Sequence, residues 1–201
     1  NNVLKTFSIE NEPVVELVNN REREYIFADL PDIGYSTDID TVMASSYQVK
    51  KQLQQIVKIE QPITNTLLYK RILRIWNLTR VTTRLQVFID NLLEDAYKDP
   101  LSGDTIIYWE DEEKAKDCDF YRINSKRDIL DIPILEVMSA ARYAIEQQIS
   151  MPTEDLKRLT SQLLGFSRKG NNLDMVTEQT IQLLIDKGIF SHANGMVSMN
   201  N

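Results

Sequence analysis

Residues 62–93, PITNTLLYKRILRIWNLTRVTTRLQVFIDNLL, contain the pattern that decides the fold. A proline opens the stretch, an amphipathic helix follows, the polar turn Leu78-Thr79-Arg80 interrupts it, and a second amphipathic helix ends it. A stretch of the same kind, PTEDLKRLTSQLLGFSRKGNNLDMVTEQTIQLLIDKG, spans residues 152–188 and has Phe166-Ser167-Arg168 at its turn. Two helices joined by a polar turn are typical of a helix-turn-helix. The sequence therefore predicts two such units in tandem.

Apolar residues recur at helical spacing three times in the first half of the chain. The spacing predicts a helix over residues 47–59, a second that follows Pro62 with Thr64 as its N-cap, and a third over residues 81–97. The apolar stripe of the third helix consists of Val81, Leu85, Phe88 and Leu92. Each stripe would face the other two helices, so the three predict one small helical core.

A hairpin is expected directly after the third helix. Residues 99–104 are rich in turn formers, and residues 105–109 are β-branched and aromatic, which favours a strand. An acidic loop over residues 110–119 would lead to a return strand at residues 120–123. A hairpin at this place is the wing of a winged helix.

The second half predicts the same order of elements. Helices are expected over residues 134–149, 154–164 and 173–187, with Thr153 as an N-cap and glycines as C-terminal stops. A final hairpin would turn at Asn194-Gly195. The two halves align at an offset of 88 residues at the turns, 90 at the prolines Pro62 and Pro152, and 92 near the last leucines. Only the order of elements repeats clearly, and a chance likeness between two three-helix stretches is the alternative.

These patterns predict a mainly α fold with small β-hairpins, arranged as tandem winged-helix or helix-turn-helix-like units. Residues 1–45 are expected to form an extended N-terminal arm or linker, with short strands or docking segments at residues 14–18 and 25–27. Residues 46–130 would form the first winged-helix-like unit. Residues 131–201 would form the second, packed on the first. The chain does not begin with Met, which suggests a piece of a longer protein.

The charge is unevenly distributed along the chain. Residues 47–89 hold 8 basic and 1 acidic side chains, net +7, whereas the whole chain carries −7. Residues 1–46 carry −6, residues 90–120 carry −8, and residues 121–201 hold 9 charges of each sign. A local positive segment of this kind can bind nucleic acid despite an acidic total. The alternative is that these side chains only solvate helix faces.

The basic segment supplies the candidate binding residues. Phosphate contacts need Lys and Arg on a helix surface, and base readout needs side chains such as Arg, Asn and Thr in the major groove. Two faces fit this description, one on the second helix and one on and before the third. Their nucleic-acid-binding candidates are Lys70, Arg71, Arg74, Arg80, Thr83, Arg84 and Asn91.

Catalytic motifs are missing from the sequence. There is no phosphate-binding Gly-rich loop, and His192 and Cys118 are the only residues of their types. A His-based triad, a Cys-based zinc site and an intrachain disulfide are therefore excluded. Glu112-x-Lys114 matches the end of a restriction-type nuclease motif, but it lies in an expected loop, so a solvated or partner-binding acidic loop is preferred. We expect no enzyme activity, cofactor, metal or small-molecule substrate, and a cytoplasmic protein without a membrane span.

The residues that surround these helices resemble a known family. Ile56-Val57-x-x-Glu60-x-Pro62-Ile63, Arg71-Ile72, Thr79-Arg80 and Leu164-Gly165-Phe166-x-Arg168 are similar to a C-terminal domain of unknown function in bacterial superfamily-1 DNA helicase-related proteins. The resemblance covers about residues 45–190. Members typically have Glu-Gly-Pro-Ile-His where this chain has Glu60-Gln61-Pro62-Ile63-Thr64. The family has no assigned chemistry, so no catalytic residue is implied.

Two functions follow as expectations. The first is a non-catalytic accessory domain of a helicase-related protein that contacts DNA through the basic first unit, while the second unit mainly buttresses it or docks. The resemblance implies upstream helicase domains of the same polypeptide as partners. The alternative is a protein-docking or structural module, in which the acidic segment 110–119 meets a basic surface.

Overall fold

The computed structural model describes residues 20–101, 103–123 and 126–200, of which about half are α-helical. The fold class is therefore mainly α with small β elements, as the sequence predicts. The expected segment at residues 14–18 lies outside the described residues.

The first unit contains three helices and a small antiparallel sheet. Its elements are α2 (Ser46–Glu60), β2 (Ile63–Thr64), α3 (Asn65–Ile75), α4 (Thr83–Leu92), β3 (Tyr97–Lys98) and β4 (Ile107–Trp109). Two shorter elements precede it, β1 (Glu22–Glu24) and α1 (Ile39–Ala44). The sheet has the strand order β2-β4-β3. The apolar stripes of the three helices form its core, including Val49, Leu53, Leu68, Ile72, Leu85 and Ile89.

The second unit repeats this arrangement. After α5 (Glu112–Lys116), β5 (Tyr121–Ile123) and a 3-10 turn (Ile129–Asp131), the chain forms α6 (Ile134–Glu146), β6 (Met151–Pro152), α7 (Thr153–Leu163), α8 (Asn171–Asp186), β7 (Phe190–Ala193) and β8 (Met196–Met199). Its sheet has the order β6-β8-β7, so in both units the last strand lies in the middle. The final hairpin turns at Asn194-Gly195, as predicted.

The repeat holds at a constant offset of 88 residues from α2 to the start of α8. The starts of the three helices, the two-residue strands and the eleven-residue second helices all coincide at this offset. Buried positions coincide as well, including Leu68 with Leu156, Leu85 with Leu173, and Leu93 with Ile181. The drifting offset expected from the prolines is wrong, because Pro62 precedes β2 whereas Pro152 lies within β6 and is opposite Met196.

The left-handed residue after the second helix is also repeated. Asn77 has φ 47° and Gly165 has φ 89°, and both follow the helix by two residues. Asn and Gly are the residues that adopt this conformation at least cost, and it closes a helix C-terminus. Gly165 confirms the predicted stop.

Three details of the sequence-based prediction are wrong. The wing does not pair residues 105–109 with 120–123: β4 pairs with β3 on one side and β2 on the other, so residues 99–106 connect the hairpin. The third helix ends at Leu92 rather than Tyr97, where Glu94 and Asp95 would be unfavourable at a helix C-terminus. Thr153 is not an N-cap, because it is already helical and its hydroxyl donates to the Gly195 carbonyl.

The N-terminal segment crosses from the first unit to the second. The segment predicted as an extended arm includes the strand β1, which pairs in parallel with β5. Residues 25–38 continue without regular structure, and Tyr25 and Ala28 are buried in the first core. Arg21 reaches Glu146 of α6 at 2.7 Å. The segment therefore contacts both units.

A buried carboxylate fixes the junction between α2 and the N-terminal segment. Glu60 is fully buried at the end of α2. Its carboxylate accepts from the Tyr25 hydroxyl at 2.6 Å and the Ala28 amide at 3.0 Å, and it pairs with Arg71 at 2.9 Å. A buried charge is tolerated only when it is paired and hydrogen-bonded in this way.

A second buried carboxylate joins the two units. Glu136 of α6 is fully buried and pairs with Arg122 at 2.5 Å and Arg127 at 2.7 Å. Arg122 also donates to the backbone carbonyls of residues 60–62 at 2.6–3.1 Å. The guanidinium groups of both arginines lie over the Tyr25 ring. The Glu60-Gln61-Pro62 turn is thus held by the second unit through one arginine.

Replacing Glu136 by Gln removes the carboxylate that faces both guanidinium groups in the interior. We expect Glu136→Gln to lower the free energy of unfolding by about 3–5 kcal/mol, the usual cost of breaking a buried ion pair. Urea unfolding followed by circular dichroism measures it. Glu94→Gln, at an exposed carboxylate, is the matched control and should change stability by less than about 0.5 kcal/mol. A loss below about 1 kcal/mol for Glu136→Gln would contradict the expected burial cost.

The same pair makes the effect of this substitution pH-dependent. Burial alone would raise the pKa of Glu136, but Arg122 and Arg127 outweigh burial and hold the pKa below its ordinary value. Such a carboxyl stabilises the fold above its unfolded pKa of about 4.3 and loses that contribution as the pH falls through its folded pKa. The stability difference between wild type and Glu136→Gln should therefore be full at neutral pH and shrink in acid. Urea unfolding across a pH series measures it, and a difference that grows in acid would disprove the linkage.

Candidate nucleic-acid interface

Helix α4 presents one face to the core and the opposite face to solvent. Thr82 caps its N-terminus, since the Thr82 hydroxyl accepts from the Leu85 amide at 3.2 Å. Leu85 and Ile89 are fully buried. The opposite side of α4, together with Arg80 in the turn three residues before the helix, is named the α4 outer face and consists of Arg80, Thr83, Arg84, Val87 and Asn91.

All five residues of the α4 outer face are exposed. Arg80, Thr83 and Asn91 lie at the surface. Val87 is 53% exposed. Arg84 pairs with Asp40 of α1 at 2.7 Å, but both side chains are more than half exposed, so this pair holds Arg84 only weakly.

The three candidates on α3 have different surroundings. Arg74 is exposed. Lys70 pairs with the buried carboxylate of Asp131 at 2.6 Å while its own side chain stays 55% exposed. Arg71 is only 12% exposed, pairs with Glu60 and donates to the Ala28 carbonyl at 2.6 Å. The sequence-based placement of Arg71 on the exposed basic face is therefore wrong, because the N-terminal segment covers it.

Carboxylates neutralise most of the charge of the basic segment. Of the 8 basic residues at positions 47–89, 5 form ion pairs, and four of the five acids lie outside that segment. These pairs are Lys50–Asp95, Lys58–Glu110, Lys70–Asp131, Arg71–Glu60 and Arg84–Asp40. Folding thus reduces the positive field that the linear sequence predicts, and the basic residues of this segment outside these pairs are Lys51, Arg74 and Arg80.

A side-chain hydrogen bond holds α4 against α3, and no local sequence pattern predicts it. The Tyr69 hydroxyl lies 2.7 Å and 2.8 Å from the two carboxylate oxygens of Asp90. Burial and this carboxylate raise the pKa of Tyr69. At the offset of 88 residues, Lys157 of α7 binds Glu178 of α8 at 2.9 Å. Each unit therefore ties its second helix to its third through the same two positions with different chemistry.

The acidic segment contains a short helix rather than a loop. Asp111 caps the N-terminus of α5. Lys114 pairs with Glu110, and this hydrogen bond is the main reason why the pKa of Glu110 lies below its ordinary value. Glu112 pairs with Lys116 on the same exposed helix at 3.4 Å. Within the described ranges no group of three His, Cys, Asp or Glu residues could hold a metal ion. The nuclease interpretation of Glu112-x-Lys114 therefore has no support here.

The remaining candidates for chemistry are isolated. His192 is exposed on β7. Burial raises the pKa of the Cys118 thiol to about 12, so it is not a thiolate at neutral pH. In the part of the chain that the structure covers, every helix is too short or too polar to cross a bilayer.

One comparison with known proteins gives a match. Residues 44–87 match the family model described as "Protein of unknown function (DUF3320)". The matched residues comprise α2, β2, α3 and the first half of α4, which include the Glu60 turn and most of the α4 outer face. The match confirms the resemblance to a domain of unknown function, over a shorter range than the sequence analysis expected. No curated protein and no solved structure matches the chain.

The N-cap that begins α4 can be tested by substitution. Thr82→Ala removes the hydroxyl that accepts from Leu85, and we expect a loss of about 1 kcal/mol in the free energy of unfolding. Thr79→Ala, at an exposed position in the same turn, should change stability by less than about 0.5 kcal/mol. Urea unfolding of both variants measures the difference. Equal effects of the two substitutions would rule out the capping role.

Proposed function

We propose that the protein is a non-catalytic accessory module that contacts DNA through the α4 outer face, and that its two units are winged-helix-like. The observation that carries the proposal is the repeated order of helix, strand, two helices and hairpin, with the last strand central in each sheet. In helix-turn-helix proteins the corresponding third helix enters the major groove. In the first unit, α4 is this helix.

The composition of the α4 outer face suits a groove. Arg80 and Arg84 can contact phosphates or guanine, Asn91 can pair with adenine, and Val87 can contact a thymine methyl group. Thr83 adds a hydroxyl beside the helix N-terminus. Arg74 on α3 would reach the neighbouring backbone, whereas Lys70 and Arg71 are engaged by Asp131 and Glu60.

The wider context comes from the resemblance to helicase-related proteins. We propose that the module belongs to such a polypeptide, whose motor would supply ATP-dependent work while the module holds DNA. Fold alone does not carry function, so the proposal depends on the named surface.

Fluorescence anisotropy with labelled duplex and single-stranded DNA tests the contact. Wild type should bind at about 50 mM salt, with log K falling steeply as log salt rises, because phosphate contacts release counterions. Arg80→Glu/Arg84→Glu should weaken binding at least tenfold and leave thermal stability nearly unchanged, since both side chains are exposed.

Lys114→Glu/Lys116→Glu provides the matched control, because it makes the same charge change on α5. This control should retain more affinity than the α4 variant. Absence of wild-type binding at low salt would refute DNA contact by this chain. Equal losses in the two variants would refute the α4 outer face as the site.

A second candidate function is docking to protein, and the neutralised charge of the first unit favours it. Five of the eight basic side chains at residues 47–89 are already paired, and Val87 offers an exposed apolar contact. Docking predicts that Val87→Asp abolishes binding to a separately expressed helicase segment of the same polypeptide. Docking also predicts that wild type does not bind DNA, or that it binds DNA with an affinity that Arg80→Glu/Arg84→Glu does not change.

A further inference from the structure

A cleft of about 540 Å³ opens in the second unit between α7, α8 and the turn that joins them. Its lining includes four cations and two carboxylates, a net charge of +2 in a chain of net −7. The charged residues are Lys157, Arg158, Arg168, Lys169, Glu154 and Asp174.

Lys157 pairs with both carboxylates of the cleft and with Glu178 beside it. The Lys157 ammonium lies 2.7 Å from Asp174, 2.9 Å from Glu178 and 3.3 Å from Glu154. Its side chain is only 7% exposed. Burial alone would lower the pKa of Lys157, but these hydrogen bonds raise it, so the lysine stays charged and holds the acids.

Two cations of the cleft have no ion-pair partner among the described residues. Arg168 and Lys169 are exposed, and neither forms an ion pair with any residue that the structure describes. Arg158 pairs with Asp155 at 3.1 Å, but both side chains are more than half exposed, so the pair is weak. The turn before α8 therefore carries positive charge that the fold itself does not use.

The equivalent turn of the first unit lacks these features. At the offset of 88 residues, Arg168 corresponds to Arg80, Lys169 to Val81, and Gly170 to Thr82. Thr82 caps α4 with its side chain, whereas Gly170 gives α8 no side-chain cap. The second unit keeps the turn arginine, adds a lysine and leaves the first-turn amides of α8 without a side-chain acceptor.

We infer that the α7–α8 cleft binds a backbone phosphate of nucleic acid through Arg168 and Lys169. The cations supply charge-assisted hydrogen bonds to phosphate oxygens, and the uncapped amides beside them favour an anion at the same place. That the anion belongs to nucleic acid rests on the proposed function. The second unit is thereby an independent contact, and the two units together hold one strand or duplex at two points.

Anisotropy with a fluorescein-labelled duplex of about 20 base pairs across a salt series tests the inference on the full chain. Arg168→Gln/Lys169→Gln should weaken binding several-fold and make the slope of log K against log salt less negative by roughly 0.9 for each phosphate that is no longer neutralised. Lys116→Gln/Lys187→Gln removes the same charge from exposed positions elsewhere and should leave the slope unchanged. Thermal unfolding of both variants should match wild type.

The outcomes separate this inference from the proposed role of α4. An unchanged slope for Arg168→Gln/Lys169→Gln, with wild type bound, overturns the cleft and leaves the α4 outer face standing. A slope of log K against log salt that becomes less negative for Arg168→Gln/Lys169→Gln, while the DNA affinity of Arg80→Glu/Arg84→Glu equals that of wild type, supports phosphate binding in the cleft and overturns the α4 contact. Equal slope changes in the cleft variant and its control overturn the specific site. No binding by wild type overturns both.

Discussion

The architecture depends on the neutralisation of two carboxylates in the interior. Glu60 and Glu136 are fully buried, and without the arginines beside them each buried charge would strongly destabilise the folded state. Arg71 faces Glu60, Arg127 faces Glu136, and Arg122 connects the two by binding Glu136 and the carbonyls that follow Glu60. Tyr25 and Ala28 of the N-terminal segment also donate hydrogen bonds to Glu60, so the N-terminal segment, the first unit and α6 meet at these two buried carboxylates. Electrostatic contacts as well as apolar packing therefore hold the units together.

Within each unit the repeated positions keep their geometry while their chemistry diverges. A tyrosine and an aspartate tie the second helix to the third in one unit, and a lysine and a glutamate do so in the other. The middle of each third helix carries an exposed apolar residue, Val87 or Met175, at the offset of 88 residues. The two units thus repeat in shape but not in surface chemistry.

Local patterns in the sequence were sufficient for the six helices of the two units, the Thr64 cap and the last hairpin, but not for the short helices α1 and α5 or the strands β2 and β6. They failed where partners are distant in sequence. The strand at residues 121–123 has the same apolar character as a wing strand, and only its parallel pairing with residues 22–24 excludes that role. Arg71 has the spacing of a surface residue, and only Glu60 and the N-terminal segment bury it. The net +7 of residues 47–89 is correct, but it could not show that four acids from outside the segment would pair with its basic side chains.

The parallel pair of β1 and β5 has a mechanical consequence. These strands bring residues 22–24 beside residues 121–123, so the whole first unit lies in a loop that they close. A tension applied at the N-terminal side and resisted by the second unit would pass from β1 to β5 through hydrogen bonds stressed in shear, then into α6. The first unit would carry none of this tension until the two strands separate. Such a tension would thus reach the second unit before it strained the first.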